Sequence, residues 1–217
     1  MEPIFLTALL CTTMLLSHAA IGDEKRAEEK EPEVDGRKLS EWERLLKSGD
    51  TGDRQAAILA LGKIGPKGVP ALAEGLKDKE IVNVRLWAAW GLRRNGADAK
   101  AAIPQLVQAL KDECGLVQIE AAKTLWEISE HKATVPALIE LLKHKDPNIR
   151  EGAAKALGSI GPKAKAAVPA LEKALKDMGR AEEVKPDGSL EFRTVNIAAR
   201  KALEKIDPEA VKKAGID

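Results

Sequence analysis

The sequence predicts an all-α protein, a solenoid of about five stacked helix pairs running from about Leu39 to Asp207. Three observations predict it. A proline-led segment recurs as VPALAEGLKD, IPQLVQALKD, VPALIELLKH and VPALEKALKD, with Pro70, Pro104, Pro136 and Pro169 spaced 34, 32 and 33 apart. A second segment alternates with it: RQAAILALGKIG, RLWAAWGLRRNG, QIEAAKTLWEIS and REGAAKALGSIG. Its central leucines, Leu61, Leu92, Leu125 and Leu157, are 31, 33 and 32 apart. The composition is 3% aromatic and 32% charged, with no tyrosine, which favours helices packed through small side chains over a β core. A fixed period with two amphipathic elements per unit is the mark of a helical-repeat array.

In chain order, Ile4 to Leu16 is an apolar run interrupted only by threonine around Cys11, too short to span a bilayer. Ser17, His18, Ala19 and Ala20 offer small residues near a cleavage point, so residues 1–20 are expected to be a signal peptide. Against this, the segment opens with Glu2 and carries no lysine or arginine, and a membrane anchor or a misassigned start is the alternative. A lipoprotein reading through Cys11 is weak, because Leu10 stands where a small residue is wanted. The expectation is export to the periplasm or outside the cell, with no stable membrane insertion after cleavage. Removal of Cys11 would leave Cys114 alone, so no internal disulfide is available and stability must come from packing. Residues 21–38 are nearly all charged or polar, including Pro32 and Gly36, and are expected to be a flexible linker.

The repeat domain is expected over 39–207, opening with SEWERLLKSGD as its first helix. The recurring prolines sit in the first turn of each first helix, where a missing N–H costs little. Gly65, Gly96 and Gly161 close second helices, with Pro66 and Pro162 blocking continuation. Asn83, Asn148 and Thr194 are candidate N-caps. A fifth second helix, NIAARKALEKID around Leu203, follows an insertion near 178–192. Within the insertion, KPDGSLEF predicts a small hairpin or an ordered loop. Residues 208–217 are read as a cap or tail, with Asp207-Pro208 starting a short helix that ends near Gly215.

Columns counted from the central leucine separate core from surface. Four residues before it stand Ala57, Ala88, Ala121, Ala153 and Ala199; three after it stand Ile64, Asn95, Ile128, Ile160 and Ile206; eight before it stand Asp53, Val84, Val117, Ile149 and Val195. These share one helical face and are expected in the core. Trp42 is expected there too. An arginine column, Arg54, Arg85 and Arg150, is replaced by Gln118 and Asn196 in the other copies. Asp50 and Asp146 precede Arg54 and Arg150 by four, so internal pairs Asp50–Arg54 and Asp146–Arg150 are expected rather than an acid-gripping ladder.

Trp87 and Trp90 depart from the pattern. Trp90 shares a column with Leu59, Lys123, Lys155 and Lys201, and those lysines mark it as solvent-facing. Leu59, Trp87, Trp90, Arg94 and Lys123 are therefore the candidate partner-binding residues. The competing reading is that the tryptophans fill an irregular repeat junction.

The pattern D-x-x-x-R-x-x-A-A-x-A-L-G-x-I-G followed by P-x-L-x-x-x-L-x-D resembles HEAT-like repeats of the bacterial type associated with phycobilisome lyases. That resemblance implies a right-handed superhelix of antiparallel helix pairs, with the second helices lining a concave surface.

No catalytic residue, metal site or cofactor is implied. After cleavage the remaining histidines are His131 and His144, both near repeat turns, and no HExxH, CxxC, P-loop or GxSxG motif occurs. The net charge of +1, from 35 basic and 34 acidic residues, gives no surplus for nucleic acid. The expected function is a non-catalytic, exported scaffold holding a protein or peptide on its concave face. Alternatives are a bilin-lyase-like enzyme or accessory factor, implied by the resemblance alone, and a purely structural spacer.

Overall fold

The computed structural model describes residues 30–184 and 190–213. The expected signal peptide, most of the linker, the Pro-Asp-Gly turn of the insertion and Gly215 lie outside the described residues. Chain order begins with β1 (Glu33–Val34) and β2 (Arg37–Lys38), then α1 (Leu39–Ser48), α2 (Thr51–Ile64), α3 (Val69–Gly75), α4 (Val82–Asn95), α5 (Ile103–Ala109) and α6 (Gly115–Ser129). It continues with α7 (Thr134–Leu141), α8 (Pro147–Ile160), α9 (Val168–Ala174), β3 (Arg180–Val184), β4 (Leu190–Thr194), α10 (Val195–Ile206) and α11 (Pro208–Lys213). The pairs α1/α2, α3/α4, α5/α6, α7/α8 and α9/α10 stack as an α-solenoid, and α2, α4, α6, α8 and α10 pack each on the next. No described helix is long and apolar enough to cross a membrane.

Small residues set the spacing of this stack. Ala57, Ala88, Ala121, Ala153 and Ala199 are all fully buried, as are Leu61, Leu92, Leu125 and Leu157. Gly62 and Gly91 meet where α2 crosses α4, and a Cβ on Gly91 would lie 3.0 Å from Leu72 Cδ2. The valine–isoleucine column is buried at Val84, Val117, Ile149 and Val195. Asp53 departs from it: the residue is half-buried, and its backbone N–H donates to the Asp50 carboxylate at 2.8 Å. Gly65, Gly96 and Gly161 take positive φ after their helices, and Glu130 does so in the third repeat at φ 46°.

The N-caps differ from expectation. Asn83 and Asn148 lie inside the first turns of α4 and α8; Asp50 and Asp146 are the cap residues that accept backbone N–H bonds. Thr194 does occupy the N-cap position of α10, without a side-chain bond. Because Asp50 and Asp146 are engaged this way, the expected intrahelical pairs are replaced by longer-range ones. Arg54 reaches Asp78 at 3.2 Å and Glu80 at 2.5 Å. Arg85 binds Asp112 through two nitrogens, at 2.7 and 3.0 Å, and Arg150 binds Asp177 likewise, at 2.6 and 3.0 Å. Arg85 and Arg150 also donate to carbonyls of their own interhelical turns, Asp78 O at 3.0 Å and His144 O at 2.8 Å. Each of these two arginines thus fastens its own turn to that of the following repeat, and its carboxylate partner raises its pKa further despite burial.

Residues 33–38, read from composition as part of a flexible linker, instead form an antiparallel hairpin, with Glu33 opposite Lys38 and Val34 opposite Arg37. Asp35 and Gly36 both have positive φ, the geometry that an Asp-Gly hairpin turn requires. The buried Trp42 indole donates to Val34 O at 3.0 Å, Arg37 lies 5.0 Å over its ring, and Lys63 pairs with Asp35 at 2.9 Å. Near the other end, β3 and β4 pair antiparallel from Arg180↔Thr194 to Val184↔Leu190, so the described parts of the insertion are two paired strands. Ala210 and Val211 of α11 are buried in the core of the last repeats.

Candidate functional site

The second helices present one continuous face on which successive repeats place the residues two, five and six positions before the central leucine. In the first two repeats this face is apolar except at Gln55. Leu59 from α2 is 39% exposed, and Leu86, Trp87 and Trp90 from α4 are half-buried. With Glu120 they line a cavity of about 310 Å³. Arg94 stands one turn beyond Trp90, its guanidinium 4.8 Å from the ring centre, so its charge lies on the aromatic face. The structure thus brings Leu59, Trp87, Trp90 and Arg94 together. Trp90 is less open than the lysine column implied. Its partial cover comes from Arg94, and Trp87 packs against the core behind it.

Lys123, the remaining candidate, stands one repeat further along and faces a different groove. That groove, of about 540 Å³, lies between α6 and α8 and is lined by Leu86, Leu116, Ile119, Glu120, Lys123 and Glu151, among others. Leu86 and Glu120 also line the tryptophan cavity, so the two spaces adjoin and share a wall. Beyond it, Glu151 and Lys155 lead into a third space of about 160 Å³ between α8 and α10, with Ile197, Lys201 and Lys205 on its wall.

Charge along this face is compensated in the middle and uncompensated at the end. Glu120 accepts from Arg93 at 2.7 Å and from Lys123 at 2.9 Å. Burial is the largest single influence on Arg93 and works against its charge, but the hydrogen bonds and negative charges of Glu120 and Glu127 together outweigh it and raise its pKa. Lys155 pairs with Glu151 at 2.5 Å. In the fifth repeat Ile197 and Ala198 stand where those glutamates would be. Lys201 and Lys205 consequently have no carboxylate partner among the described residues, whereas nearby Glu204 is taken by Arg200 at 3.0 Å.

Sequence reasoning found the tryptophans but missed Leu86, Leu116, Ile119 and Ile197. Leu116 is 48% and Ile197 50% exposed; with Leu59, three of the four exposed large hydrophobic residues among the described ones lie on this face. The signal was the column six before the central leucine, apolar at Leu86, Ile119 and Ile197 but polar at Gln55 and Glu151. Among the described residues no cluster of histidine, cysteine, aspartate and glutamate is arranged to hold a metal.

The family pattern of HEAT repeats matches residues 40–103 and 103–183. The chain belongs to the HEAT-repeat family. Its fold is shared with the complex of CpcE and CpcF of phycocyanin lyase from Nostoc sp. PCC7120, at 25% identity and a TM-score of 0.57, covering 85% of this chain and 72% of that one. An engineered protein is similar at 23% identity and a TM-score of 0.52, over 82% of this chain and 85% of its own. A structure described as the basis of microtubule plus-end tracking is similar at 17% identity and a TM-score of 0.50, over 93% and 90%. No curated protein matches the chain significantly. This HEAT-repeat array is therefore a helical scaffold whose second helices carry a grooved, partly apolar face.

Proposed function

We propose that this HEAT-repeat protein is a non-catalytic interaction scaffold that holds an extended segment of a partner protein along the face of its second helices. The observation that carries this reading is the continuity of that face. Exposed apolar side chains, rare elsewhere on the described surface, line up from Leu59 through the tryptophan cavity and Leu116 to Ile197. Trp87 and Trp90 supply large contact area at low entropic cost, and Arg94 is held over the ring, ready to donate to a carboxylate or carbonyl. Lys201 and Lys205, without a carboxylate partner among the described residues, favour acidic residues at the other end of the segment.

The test is selection of displayed 16-residue peptides on the full chain, followed by binding measurements on the Trp87→Ala, Trp90→Ala double variant. Selected peptides are expected to carry an apolar residue at one end and acidic residues at the other, and to lose at least about tenfold in affinity on the double variant. Peptides that bind the variant as tightly as the parent chain refute the reading.

A second reading, a lyase-type accessory role, is favoured by the likeness to the phycocyanin lyase complex. It requires capture of a tetrapyrrole, which mass spectrometry of the protein incubated with bilin would reveal. We also infer export, on the apolar run Ile4 to Leu16 and the small residues that follow it. A mature N-terminus at or next to Ala20, read by mass spectrometry, supports export; an intact Met1 on the accumulated protein counts against it.

A further inference from the structure

The row of arginine–aspartate bonds that joins successive interhelical turns is broken once. Arg54 reaches Asp78, Arg85 reaches Asp112 and Arg150 reaches Asp177. In the third repeat the arginine is Gln118, and in the fourth repeat the aspartate is His144. Gln118 keeps the bond to its own turn, donating to Asp112 O, but is not bonded to the next one. His144 keeps the local duty of the aspartates. Its Nδ1 accepts the backbone N–H two residues on, from Asp146, as Asp112 does from Cys114 and Asp177 does from Gly179. Both substitutions thus preserve their own turn and remove the link between turns.

We propose that the junction between α6 and α8 is a hinge dividing the array into two blocks, repeats one to three and repeats four to five. Two observations besides the missing link support it. The buried core is itself divided there: one cluster runs from Trp42 to Ile128, the other from Ile119 to Val211, and α6 gives different residues to each. The widest of the three spaces along the second helices also lies at this junction, about 540 Å³ against about 310 and 160 Å³ on either side.

The polar links confirm the contrast. The preceding junction is crossed by Arg85–Asp112, by Arg93–Glu120 and by the buried Thr124 hydroxyl donating to Ala89 O at 3.0 Å. At the hinge the corresponding contacts are the exposed pair Lys163–Glu130 and Lys163 set 5.9 Å over Trp126. Exposed pairs of this kind hold little. In a repeat array cooperativity is carried by nearest-neighbour interfaces, so the weakest interface is where the array divides.

The hinge bears on binding if the reading under Proposed function holds. The tryptophan cavity is in the first block, and Lys201 and Lys205 are in the second. A segment touching both spans the hinge and holds the blocks in one arrangement. The hinge itself needs no ligand, so the two ideas fail separately.

The test uses a feature of the sequence: Trp42, Trp87, Trp90 and Trp126 all lie in the first block. Urea unfolding of the full chain is followed by tryptophan fluorescence and by far-ultraviolet circular dichroism, with native-state hydrogen exchange as the residue-level readout. The expected result is a fluorescence transition that differs from the dichroism one, and separate opening units for α1 to α6 and α7 to α10. In the Gln118→Arg, His144→Asp variant the missing bond is built in, since both new residues can keep their local bonds. The two transitions should then converge, and protection in the first turn of α8 should rise about tenfold beyond the product of the single variants. A single transition in the parent chain, common to both probes and with the denaturant slope of the whole array, overturns the proposal. Exchange of all helices as one unit does the same without any variant. So does a double variant whose protection equals the product of the singles.

Discussion

Replacing Asp112 by alanine is the sharpest probe of what holds adjacent repeats together. In the parent chain the Arg85 side chain is 6% exposed and makes its two best bonds to Asp112, whose side chain is 8% exposed. Deleting the carboxylate leaves a buried cation with two remaining acceptors, Asp78 O at 3.0 Å and Glu113 at 3.1 Å. It also strips the Cys114 backbone N–H of its acceptor. Breaking a buried pair costs about 3–5 kcal/mol, and the surviving acceptors place this site at the low end, about 3 kcal/mol. With a urea slope of about 1.5 kcal/mol/M, the midpoint falls by about 2 M. The assay is urea unfolding followed by tryptophan fluorescence, which reports on the repeats containing Arg85. Glu113→Ala is the control: that side chain is 77% exposed, so its removal should cost under about 1 kcal/mol. A shift below about 0.5 M for Asp112→Ala, or an equal loss for Glu113→Ala, would show that the repeats are held by apolar packing alone.

Two further outcomes are expected. The hydrogen bond from Arg150 holds the Asp177 carboxyl below its ordinary 3.8, against the opposing effect of burial, with the Gly179 N–H and the Arg150 charge adding to it. Above about pH 5 the group is ionised both folded and unfolded, so the stabilisation is complete. As pH falls through the lowered folded value, the unfolded chain takes up its proton first and the stabilisation is lost. Asp177→Asn should therefore flatten the acid limb of stability measured by circular dichroism, and identical limbs would contradict the assignment. Gly91→Val pushes a branched side chain into the space held by Leu72 Cδ2 at 3.0 Å and Gly62 Cα at 3.5 Å, and should lower stability by about 2 kcal/mol in thermal or urea unfolding.

The helical architecture was legible because its determinants are local and periodic. The alanine and leucine columns repeat with the helix itself, and all of those residues are buried. The arginines show where locality misleads. Asp50 and Asp146 stand one turn before Arg54 and Arg150, but an N-cap carboxylate is already committed to the helix's own N–H groups. The true partners come 24 or 27 residues later, and the clue was present: Gln118 coincides with the loss of aspartate at His144 as well as at Cys114. The hairpin over 33–38 was hidden by its charged composition. The Asp35-Gly36 dipeptide and the need of the Trp42 indole for an acceptor were the signals that could have found it. At the candidate site the tryptophans stood out because they broke a column of lysines. Leu86, Ile119 and Ile197 did not, because Gln55 and Glu151 in the same column disguise it as surface.

The turn-to-turn bonds also fix which pieces of the chain can be removed. Excising α5 with α6, the helix pair as the sequence spells it, would set Arg85 against His144 and strand a buried guanidinium. Excising α6 with α7 instead removes Gln118 and His144 together, and leaves Arg85 facing Asp112 and Arg150 facing Asp177. The exchangeable module of this protein is thus a second helix joined to the following first helix, out of phase with the unit its proline spacing advertises.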